Sequence, residues 1–555
     1  MKTGYAKFLS IFLSIVLMLT LFTVSASALS VSGKGTEDDP YTIATAADLD
    51  KFSKAVAEGE DFSGRYIILS NDITASDTFA PIGTKENPFN GIFDGNGKKV
   101  TAPAIDSDYA GLFACTDGAR ISNLTVAGEF FAENYAGGIV AYADDTVITG
   151  CVNEAEVYAF NYAGGIAGYI ASGEITDCTA SAVTVVIGYE NYTGGIAGSS
   201  AAAISGCTNN AYVQGEKNVG GIAGTSSGNI SGCFNTVRVE ANSNNCGAIA
   251  GFSSGNISCC KNTGAVSGKG KTGGIAGVLS GAQISQCLQS GSVSATDNYA
   301  GGIAGYATGG KITDSIATAN VFSSADYVAG IFGNASATEI SRCVFTAEAT
   351  SLKSTDAAIG AVSNGTVTNC YYNSANETKA FVSGSAKTGA TGLSDAQLLN
   401  KASYTGFDFT NVWAINEIHA KHPLLRKFNF HTTSVIEDIK ATCTEDGHKT
   451  EICSICHETI ETEYKATGHN YMTVSVKYAS CTVPGYIDKV CTLCSDAVSE
   501  TIDTLPHTDT DSNEICDECG KSLKEPEKPT ENKSIFERIA EFFRMIIDWF
   551  RGLFS

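Results

Sequence analysis

The stretch NYAGGIAGYIASGEITDC (161–178) returns in varied form at intervals of 26 to 30 residues, and this recurrence limits the fold more than any other feature of the chain. Its pentads begin at Ala110, Gly137, Gly164, Gly194, Gly220, Gly247, Gly273, Gly301, Ala329 and Ala357. A near-constant period of this length over so many units is the mark of a solenoid. A second column follows each pentad start by 13 or 14 residues: Leu124, Cys151, Cys178, Cys207, Cys233, Cys260, Cys287, Ser315, Cys343 and Cys370, each with Ile or Val three residues earlier. A third apolar column comprises Val157, Val185, Val213, Val239, Val266, Val293 and Val321.

Three short β-type segments per period, broken by Gly, Asn and Ser, describe one coil of a parallel β-helix, and no segment of 3.6 periodicity is long enough for a helical repeat. The fold class is therefore all-β: a right-handed parallel β-helix with coils of about 27 residues stacked about 4.8 Å apart. Strand alternation turns Ile166 inward and Ala167 outward. The cysteine column reads as packing, because Leu and Ser replace Cys there and buried Cys behaves as a small apolar residue. Parallel rungs give poor disulfide geometry, so buried thiols are expected, with Cys246 and Cys259 as the one candidate pair.

The rod needs caps. Thr45 is a helix N-cap with Asp48 three residues on, and Leu49, Phe52 and Val56 form the apolar stripe of a capping helix that stops at Gly59. GRYIILSNDI and FNGIFDGNGKKV add two coils. The ordered set GTEDDPYTIATAADLDKF, YIILSNDI, PIG, FNGIFDGNGKKV, AGLFA, the repeated GIAG, and then CYYNSA, TGLSDAQL, GFDFTNVWAIN and HPLLRK resembles GLUG-motif repeat proteins over residues 33–428. The resemblance implies a secreted or surface-attached bacterial β-helix. Some relatives are large adhesins, and some immunoglobulin A-cleaving metallopeptidases carry the motif beside a catalytic domain.

The organisation follows as a signal peptide at 1–28, the β-helix entry at 29–109, repeats at 110–375, an exit cap at 376–430, a Cys-rich region at 431–524, a linker at 525–533 and an amphipathic helix at 534–555. Lys2 and Lys7, an apolar run from Phe8 to Val24 and Ala26-Ser27-Ala28 make the start a cleavable secretory signal, so a secreted or cell-surface location is expected. A net charge of −23 offers no basic stripe and argues against nucleic acid as a partner.

Catalysis on a β-helix needs a constellation of acids. Asp144, Asp145, Asp177 and Asp314 are sparse, and the equivalent pair Asp177 and Asp314 stands five rungs apart. No catalytic residue is assigned. The expected function is adhesion or ligand binding, with a glycan or protein as partner; the alternative is a polysaccharide lyase or glycosidase. Candidate ligand-binding residues are Tyr142, Tyr169, Phe252 and Tyr306, which share the position after the pentad. Tyr135, Tyr162, Tyr192, Tyr299 and Tyr327 recur two residues before it. These rings either stack on a ligand or pack on one another at a corner.

In the Cys-rich region, Cys443, Cys453, Cys456 and His469 follow the spacing C-x9-C-x2-C-x12-H, and Cys481, Cys491, Cys494 and His507 repeat it 38 residues later. Each set offers four soft ligands for a closed, structural Zn2+ site; disulfides are the alternative, but three cysteines per copy leave one over. A third knuckle, Cys516 and Cys519, lacks a matching half and competes for His507. The region resembles Cys-rich repeats appended to secreted proteins of anaerobic Firmicutes. Asp509, Asp511 and Asn513 begin like a calcium loop, but Glu514 replaces the turn Gly, leaving at most weak Ca2+ binding. The last helix carries Ile535, Ile539, Phe542, Ile546, Trp549 and Leu553 on one face and is too charged to span a bilayer; a membrane surface or another helix is its expected partner.

Overall fold

A computed structural model describes residues 31–382, 388–416, 418–428, 433–454, 459–510 and 514–521. The signal peptide, the linker, the last helix, and the residues Cys456, Asp511 and Asn513 named above lie outside the described residues. The described chain falls into two compact units, divided between 430 and 431.

The first unit is a parallel β-solenoid of about 12 turns. Equivalent strands of successive coils pair in parallel, and one ladder of 13 strands runs from Tyr41–Ile43 to Thr366–Thr368. In the coil that opens with NYAGGIAG, the strands are Tyr162–Gly164, Ala167–Ile170, Gly173–Thr176, Thr179–Ala180 and Val185–Gly188. The coil is thus cut into more pieces than the three expected. The extra corner lies inside the pentad, where the chain doubles back so tightly that a Cβ on Gly164 would fall 1.9 Å from the Ala167 carbonyl oxygen. A Cβ on Gly165 would lie 2.1 Å from the Gly195 oxygen of the next coil. Neither position admits another residue without moving backbone.

That corner also overturns the strict alternation expected of the pentad. The N–H groups of Ile166 and Ala167 both donate to the Ile196 carbonyl, at 2.8 and 3.0 Å, and both side chains are fully buried. The third column is corrected too. Val186, and not Val185, pairs with Val157 and Val213. The 30-residue coil shifts the register by one there, and Val185 is only half-buried.

The cysteine column is buried throughout, and its members are thiols. Each is preceded by a residue in the left-handed region, as at Asp177 (φ 53°), Cys259 (φ 54°) and Asp314 (φ 47°), so this column begins just after a corner. Cys246 and Cys259 do not pair. Cys246 points into the core toward the Val239 and Ser267 carbonyls, whereas Cys259 occupies the outer corner near Gln286. A polar column was not foreseen. Asn209 donates to Asn235 at 2.8 Å, Asn235 to Asn262 at 2.8 Å, and Asn262 to Gln289 at 2.7 Å, all fully or almost fully buried. Each amide also donates to a carbonyl two residues on, so the ladder satisfies itself inside the core.

At the entry, Thr45 caps the helix Ala46–Ala57 by accepting from the Asp48 N–H, and Leu49, Phe52 and Val56 bury their stripe against Phe62, Phe89 and Phe93. At the exit, Tyr404, Trp413, Leu425 and Phe428 pack on Ile316, Val344 and Tyr371, which are neighbours in one outward column of the rod. The exit segment therefore covers a side of the solenoid. Among the described residues no helix is long and apolar enough to cross a membrane.

The second unit holds two three-stranded antiparallel sheets: Thr433–Ile439, Gly447–Cys453 and Thr459–Tyr464, then Tyr471–Lys477, Gly485–Cys491 and Ala497–Ile502.

Candidate metal centres and tyrosine groove

The Cys-rich unit gathers its ligands differently from the grouping by spacing. Cys443, His469, Cys491 and Cys494 form one cluster, and Cys481, His507, Cys516 and Cys519 the other, with all ligand atoms of a cluster within 4.8 Å of one another. The spacing placed Cys443 with Cys453, and Cys481 with Cys491; the fold separates both pairs. Cys443 sits in the turn after Thr433–Ile439, whereas Cys453 ends the next strand, at the far end of the same hairpin. Cys453 is fully buried but belongs to neither cluster. The knuckle Cys516/Cys519 does find a matching half, in Cys481 and His507.

The cluster geometry suits a metal, and the cysteines of both clusters are thiols. Sγ atoms of Cys443 and Cys491 stand 3.7 Å apart, as do those of Cys481 and Cys516. A disulfide needs about 2.05 Å. His469 Nδ1 lies 3.3 Å from Cys494 Sγ, and His507 Nδ1 lies 3.4 Å from Cys519 Sγ. Thiolate and imidazole ligands at Zn–S and Zn–N lengths on a tetrahedron stand about 3.8 and about 3.6 Å apart. Burial raises the Cys443 thiol to about 11 and Cys481 to about 12. Burial also opposes ionisation of Cys491, yet backbone N–H groups of Leu493 and Cys494 bring it down to about 6; at Cys516, the Cys519 N–H leads the same effect, also to about 6. These clusters can hold a metal ion. The calcium-like start at Asp509 is locally engaged, since its carboxylate accepts the Glu514 N–H at 2.7 Å.

On the rod, the position after the pentad is not an unbroken aromatic row. It reads Cys115, Tyr142, Tyr169, Ser199, Thr225, Phe252, Val278, Tyr306, Asn334 along the register. Phe252 has no aromatic neighbour in that column. Tyr306 stands apart, edge-on to Tyr299 at 5.7 Å and with Lys271 over its ring at 5.2 Å. The concentration lies at the entry end. Tyr109, Tyr135, Tyr162 and Tyr192 stack face to face at 5.3, 4.9 and 4.9 Å. Tyr142 and Tyr169 stack at 5.3 Å and meet that ladder edge-on.

Most of these ring faces are therefore spent on one another. The ends of the ladder differ: Tyr109 has only Tyr135 stacked on it, and Tyr192 only Tyr162. Residues 82–89 lie beside Tyr109, bridged to the strand Phe113–Asp117 through Ile82–Phe113 and Phe89–Thr116. Between this segment and the ladder lies a cavity of about 360 Å³ lined by Lys85, Pro88, Tyr109, Cys115, Thr116, Asp117, Tyr135, Tyr142 and Asp144. Asp117 and Asp144 are register partners on adjacent rungs. Asp144 accepts from Ser172 Oγ at 2.7 Å. Burial raises the Tyr109, Tyr135 and Tyr142 hydroxyls, which stay protonated at neutral pH, and pushes the Cys115 thiol to about 12.

Of the remaining acids, Asp177 and Asp314 occupy left-handed corners, and Asp314 is held by Arg342 at 2.6 and 2.7 Å. Neither joins the cavity. Tyr109, Lys85 and Asp117 escaped sequence reading; Tyr109 precedes its pentad start by one residue rather than two, and Lys85 lies outside the repeats.

The fold is a parallel β-solenoid built on these repeats. The GLUG motif matches two of its coils, residues 161–186 and 296–321, which supports a GLUG-repeat β-helix description, and Cys/His clusters follow in the sequence. A protein of Evansella cellulosilytica named "Putative Gly-rich membrane protein" is 29% identical over 152 residues, which cover 25% of this chain and only 17% of that protein. Among solved structures, one titled as a "putative immunoglobulin A1 protease" from Bacteroides ovatus aligns with 72% of this chain and 95% of its own at 18% identity and a TM-score of 0.29.

Proposed function

We propose that this is a surface-displayed β-helical rod that binds a glycan at the entry-end groove. One observation carries the reading: the cavity of about 360 Å³ brings Tyr109, which ends the stacked ladder, together with two carboxylates and one ammonium group. A pyranose ring stacks its C–H face on an aromatic ring, and its hydroxyls donate hydrogen bonds to carboxylates and accept them from phenols. Repeated rungs give a stiff presenter, and the expected signal peptide and terminal helix suit secretion and attachment at a membrane surface. The relative named as a membrane protein supports a surface location.

The test is a glycan array probed with the purified rod. Binding should fall at least about tenfold, or about 1.4 kcal/mol, in Tyr109→Ala, and should survive in Tyr306→Ala. Equal binding by both variants overturns the groove assignment. Asp117 and Asp144 on adjacent rungs also suit a second reading, a glycoside hydrolase with paired carboxylates. Release of reducing ends from a polysaccharide, abolished by Asp117→Asn, would establish that reading instead.

A further inference from the structure

We infer that the two metal sites are clasps, each ion shared by consecutive modules of the Cys-rich unit, and that zinc supplies the cohesion these modules otherwise lack. The first cluster takes Cys443 from the first hairpin turn of one sheet and His469 from the segment after it; Cys491 and Cys494 come from the next sheet. The second takes Cys481 and His507 from the following module and closes on Cys516 and Cys519.

The need for a clasp is visible in the strands. Across all six, the buried residues are Gly447, Cys453, Gly485 and Cys491. Val435, Ile436, Met472 and Val474 are each more than half exposed. Sheets with no apolar core cannot hold one another by burial, and small units of this kind depend on metals or crosslinks. Three thiolates and one imidazole at near-tetrahedral separations leave no open position, so the ion is structural, and sulfur-rich tetrahedral sites select Zn2+ over oxygen-seeking cations. Because Cys443 and His469, and likewise Cys481 and His507, reach forward to the knuckle of the module that follows, the array is directional.

Metal per chain in double variants of the full-length protein decides the matter. If consecutive modules share each ion, Cys443→Ser with Cys491→Ser removes one equivalent of zinc relative to the unaltered chain, and Cys481→Ser with Cys491→Ser removes two. Grouping within one 38-residue repeat demands the reverse, two and then one, and that result overturns the clasp. So does a chain that binds no zinc. Cobalt substitution gives an independent reading, since sulfur-to-cobalt charge-transfer absorbance should fall by half in Cys443→Ser with Cys491→Ser and vanish in Cys481→Ser with Cys491→Ser; the opposite order overturns the clasp. Cys443→Ser alone is the milder variant. Limited proteolysis of that variant should open the segment 465–470 and leave 503–508 protected; cleavage at both or neither contradicts the assignment.

Discussion

Cys233 is as buried as a residue can be, yet its equivalent four units back is Leu124 and three units on is Ser315. The column tolerates this because the site asks only for a compact side chain. The Cys233 Sγ–H points to the Ser231 carbonyl at 3.4 Å, just as Ser315 Oγ donates to Thr313 at 2.9 Å. Cys233→Ser should therefore cost no more than about 1 kcal/mol in chemical denaturation. Burial holds the Cys246 and Cys260 thiols well above their ordinary range, so a thiol reagent should modify them only after unfolding. Glu377 is a second residue whose state is set by burial. Its carboxyl accepts the Ala349 N–H at 2.6 Å, 5% exposed, and burial raises it to about 7. The fold thus favours the protonated form. Its contribution is full below about pH 4.5 and is lost as pH rises through about 7, by at most about 3 kcal/mol. Thermal melts of the rod should show that decline between pH 4.5 and 8, and Glu377→Gln should flatten it.

At the scale of elements, the amide ladder works as a unit. Asn235 links Asn209 to Asn262 and binds the Val237 carbonyl. Asn235→Leu orphans buried groups on both sides and should destabilise the rod by about 1–3 kcal/mol, against little change for the exposed Lys217→Ala. The ladder was readable as an Asn two residues after Cys151, Cys207, Cys233 and Cys260. It was overlooked because Asn in a Gly-rich repeat reads as a turn residue. The entry helix was fully legible, since N-cap, stripe and stop are all local signals. The pentad corner was not. A bend that buries two successive side chains breaks the alternation rule from which Ala167 was placed outside.

For the whole molecule, the rod and the Cys-rich unit have different sources of stability, and they should separate on chelation. A strong zinc chelator should expose residues 433–521 to protease while the solenoid keeps its β-type circular dichroism; simultaneous loss of both would show that the rod also depends on metal. The β-solenoid, its period and the buried cysteine column were determined by the sequence alone, because each rests on residues that recur at one spacing and face one interior. What only the tertiary structure decided is which repeat partners which. A 38-residue period leaves Cys443 equally well spaced for the knuckle of its own repeat and for that of the next, and only the path of the hairpin places Cys491 and Cys494 beside it. The groove is of the same kind. Tyr109 is one more rung tyrosine until residues 82–89 fold beside it, and contacts between segments outside the repeat leave no periodic trace in a sequence.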